Sequence, residues 1–274
     1  MTELFPKELA ELTALKNDMA KYRPLSKEQV DLLNQDIRLE HVWTSNALEG
    51  STLTRYETDS IINAGITIHG KSLTETLEAV NLSQAYDYMI DLATQKEPLT
   101  QAVVRDLNRL ATLETAKNKN MAGVYRVVEA WPKGREYLHY TAPFEINSAM
   151  ADLIDWARTA IKAEHPVQYA ADLHRKFVSI HPFSDGNGRT ARLLMNFALT
   201  ESGYPVINIQ PDAKSREQYM LALSDYQENG NEAPFTKLVI DYTRETLEKR
   251  IKILRANEVA IKEAENDTNL PRKN

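Results

Sequence analysis

Twelve consecutive residues, HPFSDGNGRTAR at 181–192, bring a histidine, a carboxylate, two glycines and two arginines into one short stretch. His181 has a reference pKa of about 6.5, which suits it to take up a proton near neutrality. Asp185 offers a hard oxygen donor of the kind that holds Mg²⁺ beside a phosphate. Gly186, Asn187 and Gly188 can turn backbone amides inward and let a ligand come close to the chain. A helix starting there would add its positive N-terminal end. Arg189 and Arg192 are three apart and share a helix face. Base, metal ligand, anion nest and two cations are the parts of a phosphoryl-transfer site. Singly, each has a plainer reading: a Gly-Asn-Gly turn, a His-Pro helix stop, an Asp cap. The whole set within twelve residues argues for chemistry. Phe183 reads as core on either view.

These side chains need a frame, and the frame reads as helical. Capping-box patterns recur at Ser26…Gln29, Thr54…Glu57, Ser72…Glu75 and Ser215…Gln218. After Ser26, Val30, Leu33, Ile37 and Val42 fall at helical spacing, with Gly50 as the stop. After Ser72 the stripe is Leu73, Leu77, Val80, Tyr88 and Leu92. Helices are predicted over 146–162 and 167–180, divided at Pro166, and another begins near Leu193, Leu194, Phe197 and Ala198. A long helix is predicted over 236–262, with a frayed polar tail over 263–274. One stretch differs. GVYRVVEAW at 123–131 is rich in β-branched and aromatic residues, 132–135 offers a turn, and 136–141 can pair back. The expectation is an all-α bundle with one β-hairpin at about 123–141.

Composition narrows the function. The chain has 274 residues, 42% hydrophobic and 26% charged, enough for a substantial folded core. It has no cysteine, which excludes a disulfide scaffold, a thiol nucleophile, an iron–sulfur cluster and a thiolate zinc site. His41, His69, His139 and His165 show no metal-ligand spacing, so no structural zinc is expected. A net charge of −6 argues against nucleic acid as a partner. No apolar run is long enough for a membrane span, and the N-terminus lacks the pattern of a signal peptide. The expected location is therefore cytoplasmic.

The 181–192 segment resembles the signature of the Fic family, H-P-F-x-[D/E]-G-N-G-R-x-x-R, at every specified position. Ala171–His174, Leu193–Asn196, Gly203–Pro205 and Tyr219 also resemble Fic surroundings, and the likeness spans roughly 35–245. The resemblance implies a Fic-type helical bundle with a β-hairpin flap before the motif. It implies transfer of AMP from ATP, with Mg²⁺, to a Ser, Thr or Tyr hydroxyl of a protein. His181 would then be the base and Asp185 the Mg²⁺ ligand. Gly186, Asn187 and Gly188 would cradle the α- and β-phosphates, Arg189 would stabilise phosphate charge, and Arg192 would hold the γ-phosphate. Doc-type relatives that transfer phosphate carry Lys where this chain has Gly188 and lack the final Arg, which favours nucleotide transfer here. The flap, 135–140 included, would dock the target protein. Self-modification and a homodimer are further implications. Tyr219 matches a position near the adenine in relatives, and a core aromatic explains it equally well. His174 reads as structural.

A second motif lies upstream. Ser45 and Glu49 in HVWTSNALEGSTLT (41–54) are four apart, hence on one helix face. Alone, Glu49 reads as a solvated carboxylate before Gly50. Beside a complete Fic motif it resembles the family's inhibitory pattern [S/T]-x-x-x-E-[G/N], in the class with an N-terminal inhibitory helix. A bidentate Glu49–Arg192 pair would deny Arg192 to the γ-phosphate. The chain divides accordingly into an N-terminal helical region (1–95, inhibitory helix about 35–50), a core (96–250), and a helix end with its tail (251–274). Two other functions stay open: transfer of a different nucleotide or phosphate-containing group, and nucleotide sensing without chemistry. Removal of AMP from a modified protein also stays open.

Overall fold

The computed structural model describes residues 3–22, 25–132 and 134–268. Its helices are α1 (Pro6–Met19), α2 (Lys27–Leu48), α3 (Arg55–Ile62), α4 (Leu73–Gln95), α5 (Gln101–Thr112), α6 (Ile146–Ala163), α7 (Pro166–Ile180), α8 (Asn187–Glu201), α9 (Ala213–Asn229) and α10 (Ala233–Thr268). α7 and α8 pair at the centre, and most of their residues are buried. Their apolar residues fill the core, and the polar ones buried with them, such as Arg175 and Asn196, are held by hydrogen bonds and ion pairs. α4 and α5 pack on α8, α6 and α10 on α7, α1 on α10, and α2 on α4 and the edge of α8. Leu173, Phe177, Leu193, Leu194 and Phe197 are at most 1% exposed and tie these layers into one core. Among the described residues no helix is long and apolar enough to cross a membrane.

The start signals explain most boundaries. Ser26, Thr54 and Ser72 each form a complete reciprocal capping box. Ser215 does not cap. Asp212 accepts the Ser215 N–H at 3.1 Å and starts α9 three residues earlier, because its carboxylate reaches the first-turn amides before the serine can. Pro166 sits in the first turn of α7 as expected. α2 ends at Leu48, Glu49 is its C-cap, and Gly50 turns the chain at φ +106°. α10 runs six residues past the expected end, and the rest of the expected tail (269–274) lies outside the described residues.

The expected β-hairpin is corrected. Over 123–141 no strand ladder forms among the described residues, and Lys133 in the expected turn lies outside them. The chain still doubles back, with the Tyr140 N–H donating to the Ala130 carbonyl at 3.1 Å. The reason is competition for backbone groups. The first arm pairs with the motif loop instead, through an antiparallel bridge between Tyr125 and Phe183 and an Arg126 N–H bond to the Pro182 carbonyl at 2.8 Å. Val127 and Val128 are left 79% and 62% exposed, and a lone two-stranded ribbon with no face to bury is marginal.

Candidate active site

α8 begins at Asn187, six residues before the apolar stripe that announced it, so the expected glycine loop is largely the first turn of a helix. Gly186 is the N-cap in a left-handed conformation, φ +77°. A side chain there would also meet Thr112 Cγ2 at 2.5 Å and Asn108 Nδ2 at 2.9 Å, so the turn and the close packing both require glycine. Intrahelical bonding starts with the Thr190 N–H to the Gly186 carbonyl, at 2.9 Å. The amides of residues 187–189 precede that bond and have no acceptor within the helix. That is the anion-attracting end of the helix.

Around this end the side chains divide into holders and free groups. Asn187 is a holder: its Oδ1 accepts the Phe183 N–H at 3.0 Å and its Nδ2 donates to the Phe183 carbonyl at 2.7 Å. Asn108 on α5 is another, donating to the Asp185 carbonyl (2.9 Å) and Thr190 Oγ1 (3.2 Å) and accepting the Gly123 N–H (3.2 Å). Asp185 is 65% exposed; it accepts from the Gly186 N–H at 2.7 Å and from Arg189 Nη2 at 3.1 Å, and its carboxylate still faces solvent. Arg189 is buried between Asp185 and Glu78, with Glu78 Oε1 at 3.5 Å. Burial raises the Glu78 carboxyl above its ordinary range, although Arg189 opposes the rise.

His181 closes α7 in a left-handed conformation, φ +52°, uncommon for a residue with a side chain. Two neighbours hold it there. Arg126 Nε donates to the His181 carbonyl at 2.8 Å, and the Tyr140 ring stacks on the imidazole at 3.9 Å and 9°. Arg126 also donates to the carbonyls of Val128 and Thr141, on both arms of the 123–141 segment. Burial, reinforced by the Arg126 charge, pushes the His181 pKa down to about 4 against the pull of the Val178 carbonyl, Glu49 and Asp185. The imidazole is neutral at pH 7 and can accept a proton.

Arg192 is 3% exposed, and each of its three nitrogens has a partner. Nε donates to Ser45 Oγ at 2.7 Å, and Nη2 donates to the Ser45 carbonyl at 2.9 Å and Glu49 Oε1 at 2.7 Å. Nη1 donates to the Tyr219 hydroxyl at 3.3 Å. Glu49 therefore contacts Arg192 through one oxygen, and Ser45 supplies the second point, where the sequence suggested a bidentate carboxylate. Desolvation pushes the Glu49 carboxyl up, but Arg192, Arg189 and His181 together hold it below its ordinary range. The same carboxylate lies over the Gly188 backbone, so a Cβ at 188 would strike Glu49 Oε1. Glu49 thus sits where the first turn of α8, Arg192 and the field of Arg189 meet. Tyr219 is 1% exposed, with its hydroxyl on Arg192 and on His174 Nε2 at 3.1 Å.

A family model described as the Fic/DOC family matches residues 98–199, which contain the motif but neither Glu49 nor Tyr219. The fold is similar to a Fic domain containing signaling protein from Bacteroides thetaiotaomicron, with a TM-score of 0.80 and 31% identity over 89% of this chain and 98% of that one. The chain belongs to the Fic/DOC family. It is also 32% identical over 212 residues to a protein adenylyltransferase Fic of Drosophila willistoni, covering 76% of this chain and 41% of the relative. A protein of the same name in Drosophila ananassae is 30% identical over 240 residues, covering 86% of this chain and 45% of the relative. The chain thus spans about two fifths of the length of the curated relatives it matches. Fic-1 (aa134–508) from C. elegans shares the fold at a TM-score of 0.79 and 24% identity.

Of the residues singled out in the sequence, the structure brings His181, Gly188, Arg189, Arg192, Ser45, Glu49 and Tyr219 around one point of the Fic core. Asp185 lies at its solvent edge. Sequence reading missed Asn108 and Arg126. The charge of Arg126 inside the apolar run GVYRVV was a signal that it is held by something buried; Asn108, in an ordinary helix face, gave none.

Proposed function

We propose that this chain is a self-inhibited protein adenylyltransferase that moves AMP from ATP to a Ser, Thr or Tyr hydroxyl of a protein. One observation carries the reading: a neutral histidine and a buried arginine flank the free amide end of one helix, and the acidic side chain at their meeting point comes from α2. The names of the Drosophila relatives support AMP as the group transferred.

In the reaction the acceptor hydroxyl oxygen attacks the α-phosphorus and its proton passes to the His181 imidazole. The bond to the bridging oxygen breaks and pyrophosphate leaves. The amides of the first turn of α8 face the negative phosphate oxygens, a preorganised stabilisation that is worth most where water is excluded. Arg189 adds a fixed positive charge, and Arg192 holds the γ-phosphate, aligning the α-phosphate for in-line attack. Asp185 fits Mg²⁺, an ion usually bound by one or two carboxylates plus substrate phosphates. The side chain is exposed at the mouth of the site, and no cluster of three ligating side chains occurs among the described residues, so ATP would supply the remaining ligands. The bound ion would neutralise phosphate charge.

The 123–141 segment, with Val127, Val128 and Tyr137 exposed along it, would dock an extended stretch of target by backbone pairing. Inhibition follows from competition. Glu49 and a γ-phosphate are two anions for one guanidinium, and Glu49 holds it with the help of Ser45. The test uses ATP labelled at the α- or the γ-phosphate with the Glu49→Gly variant. Label is expected on protein from α-labelled ATP alone; label from γ-labelled ATP would mean phosphate transfer, and binding without label would mean a sensor.

A further inference from the structure

His174 is a buried histidine that plays no part in the transfer chemistry. It lies on α7, two turns before His181, fully buried, with its ring stacked on Phe235 at 4.6 Å. Nε2 is 3.1 Å from the Tyr219 hydroxyl, which is 3.3 Å from Arg192 Nη1. Arginine can only donate, so the Tyr219 oxygen accepts from Arg192. Burial, with the Arg192 charge adding to it, holds His174 well below its ordinary pKa, so the ring is neutral and one nitrogen is an acceptor. The arrangement that pairs Arg192 Nη1, the tyrosine oxygen and the tyrosine proton sends that proton to Nε2. The ring proton then sits on Nδ1, which is buried without a partner. Leaving that group unsatisfied is a standing cost, tolerated in exchange for an acceptor at Nε2.

The anchors of Arg192 come from two places. Ser45 and Glu49 belong to α2, the inhibitory side, whereas Tyr219 and His174 belong to α9 and α7 of the core. A nucleotide that replaces Glu49 leaves the second anchor, which comes from the core, in place. We infer that His174 is a positioning residue: by accepting the Tyr219 proton it turns a tyrosine lone pair toward Arg192 and keeps the guanidinium aimed at the γ-phosphate of a nucleoside triphosphate. The inference rests on the proposed γ-phosphate role of Arg192.

The experiment measures ATP and ADP binding by calorimetry, with Mg²⁺, in the full chain carrying Glu49→Gly. Added singly are His174→Phe, which keeps a ring against Phe235, His174→Gln, which restores an acceptor, Tyr219→Phe and Arg192→Ala. His174→Phe and Tyr219→Phe should each lower the preference for ATP over ADP about tenfold while leaving ADP affinity unchanged. Together they should do no more than either alone, because they break one chain of bonds. His174→Gln should recover most of the preference. Equal loss of ATP and ADP, or His174→Gln failing as His174→Phe does, would overturn the inference in favour of plain packing. Tyr219→Phe, which removes a single oxygen, decides the matter if His174→Phe unfolds. Should Arg192→Ala leave the preference intact, the γ-phosphate reading itself falls. If Arg192→Ala abolishes it and Tyr219→Phe does not, only the positioning chain is overturned.

Discussion

His181 combines a left-handed backbone with a neutral ring, and both follow from what surrounds it. Tyr140 stacks on the ring and Arg126 holds the carbonyl, which together fix the turn out of α7. A pKa of about 4 makes the base weaker than free histidine but leaves it deprotonated at neutral pH. In a Glu49→Gly background, His181→Ala should therefore lower AMP transfer by about 10²–10⁴-fold while ATP affinity is retained, as filter-binding and labelling assays would report. The acid limb of the pH–rate profile should fall near pH 4; a limb at 6.5 would mean that a free, solvated imidazole does the work. At this scale the sequence was informative because the residue types themselves carry the chemistry. What it hid was engagement. Nothing in GNG says that the Asn187 amide is consumed by Phe183, or that Ser45 supplies the second hold on Arg192.

Among the elements, the 123–141 segment and the 181–186 loop behave as one unit, and Arg126 is what joins them. It holds three carbonyls, on His181, Val128 and Thr141, from a position 2% exposed. Arg126→Met keeps the length and removes the donors. Transfer should drop about 10–100-fold with ATP affinity unchanged, because bonds from a charged donor are each worth about 1.5–3 kcal/mol and the base, not the nucleotide site, loses its support. Equal losses in ATP affinity and transfer would instead indicate general loosening of the fold. Helices were legible because capping residues and apolar periodicity are local signals. The hairpin was misread because β-propensity records fit to a half-buried pleated surface, and here Val127 and Val128 have no surface to cover. The early start of α8 was hidden for a related reason: its first turn is polar and glycine-containing, since it faces the site instead of the core.

Over the whole molecule, the buried histidines set the response to acid. Desolvation and the Arg192 charge push His41 down to about 3, against its bond to Asn208, and His174 falls well below 6.5 by the same two causes. Both are depressed in the folded state, so their contribution to stability is complete above pH 6.5 and is lost as pH falls below it. Each adds up to about 1.4 kcal/mol per pH unit. Glu164, raised to about 7 by burial, works the other way, as do the raised carboxyls of Glu78, Asp172 and Glu201, while His165 and His181, also lowered by burial, add to the histidine side. Urea midpoints should fall between pH 7 and 5, and His41→Gln should flatten that fall; parallel curves would show that His41 does not take up a proton on unfolding. Most helices were readable from the sequence, though not α1 or α5, and the packing of α2 against α8, which brings Ser45 and Glu49 to Arg192 across more than 140 residues, was reached only through the resemblance of two short motifs.

That contact is the account's central claim, and a double-mutant cycle tests it most directly. AMP incorporated per protein, self-modification included, is measured by intact mass for the wild type, Glu49→Gly, Arg192→Ala and the double variant. Glu49→Gly should raise incorporation well above wild type, and the gain should vanish when Arg192→Ala is added, because the two side chains act as one coupled unit. Activation by Glu49→Gly that survives the loss of Arg192, or no activation at all, would contradict the account.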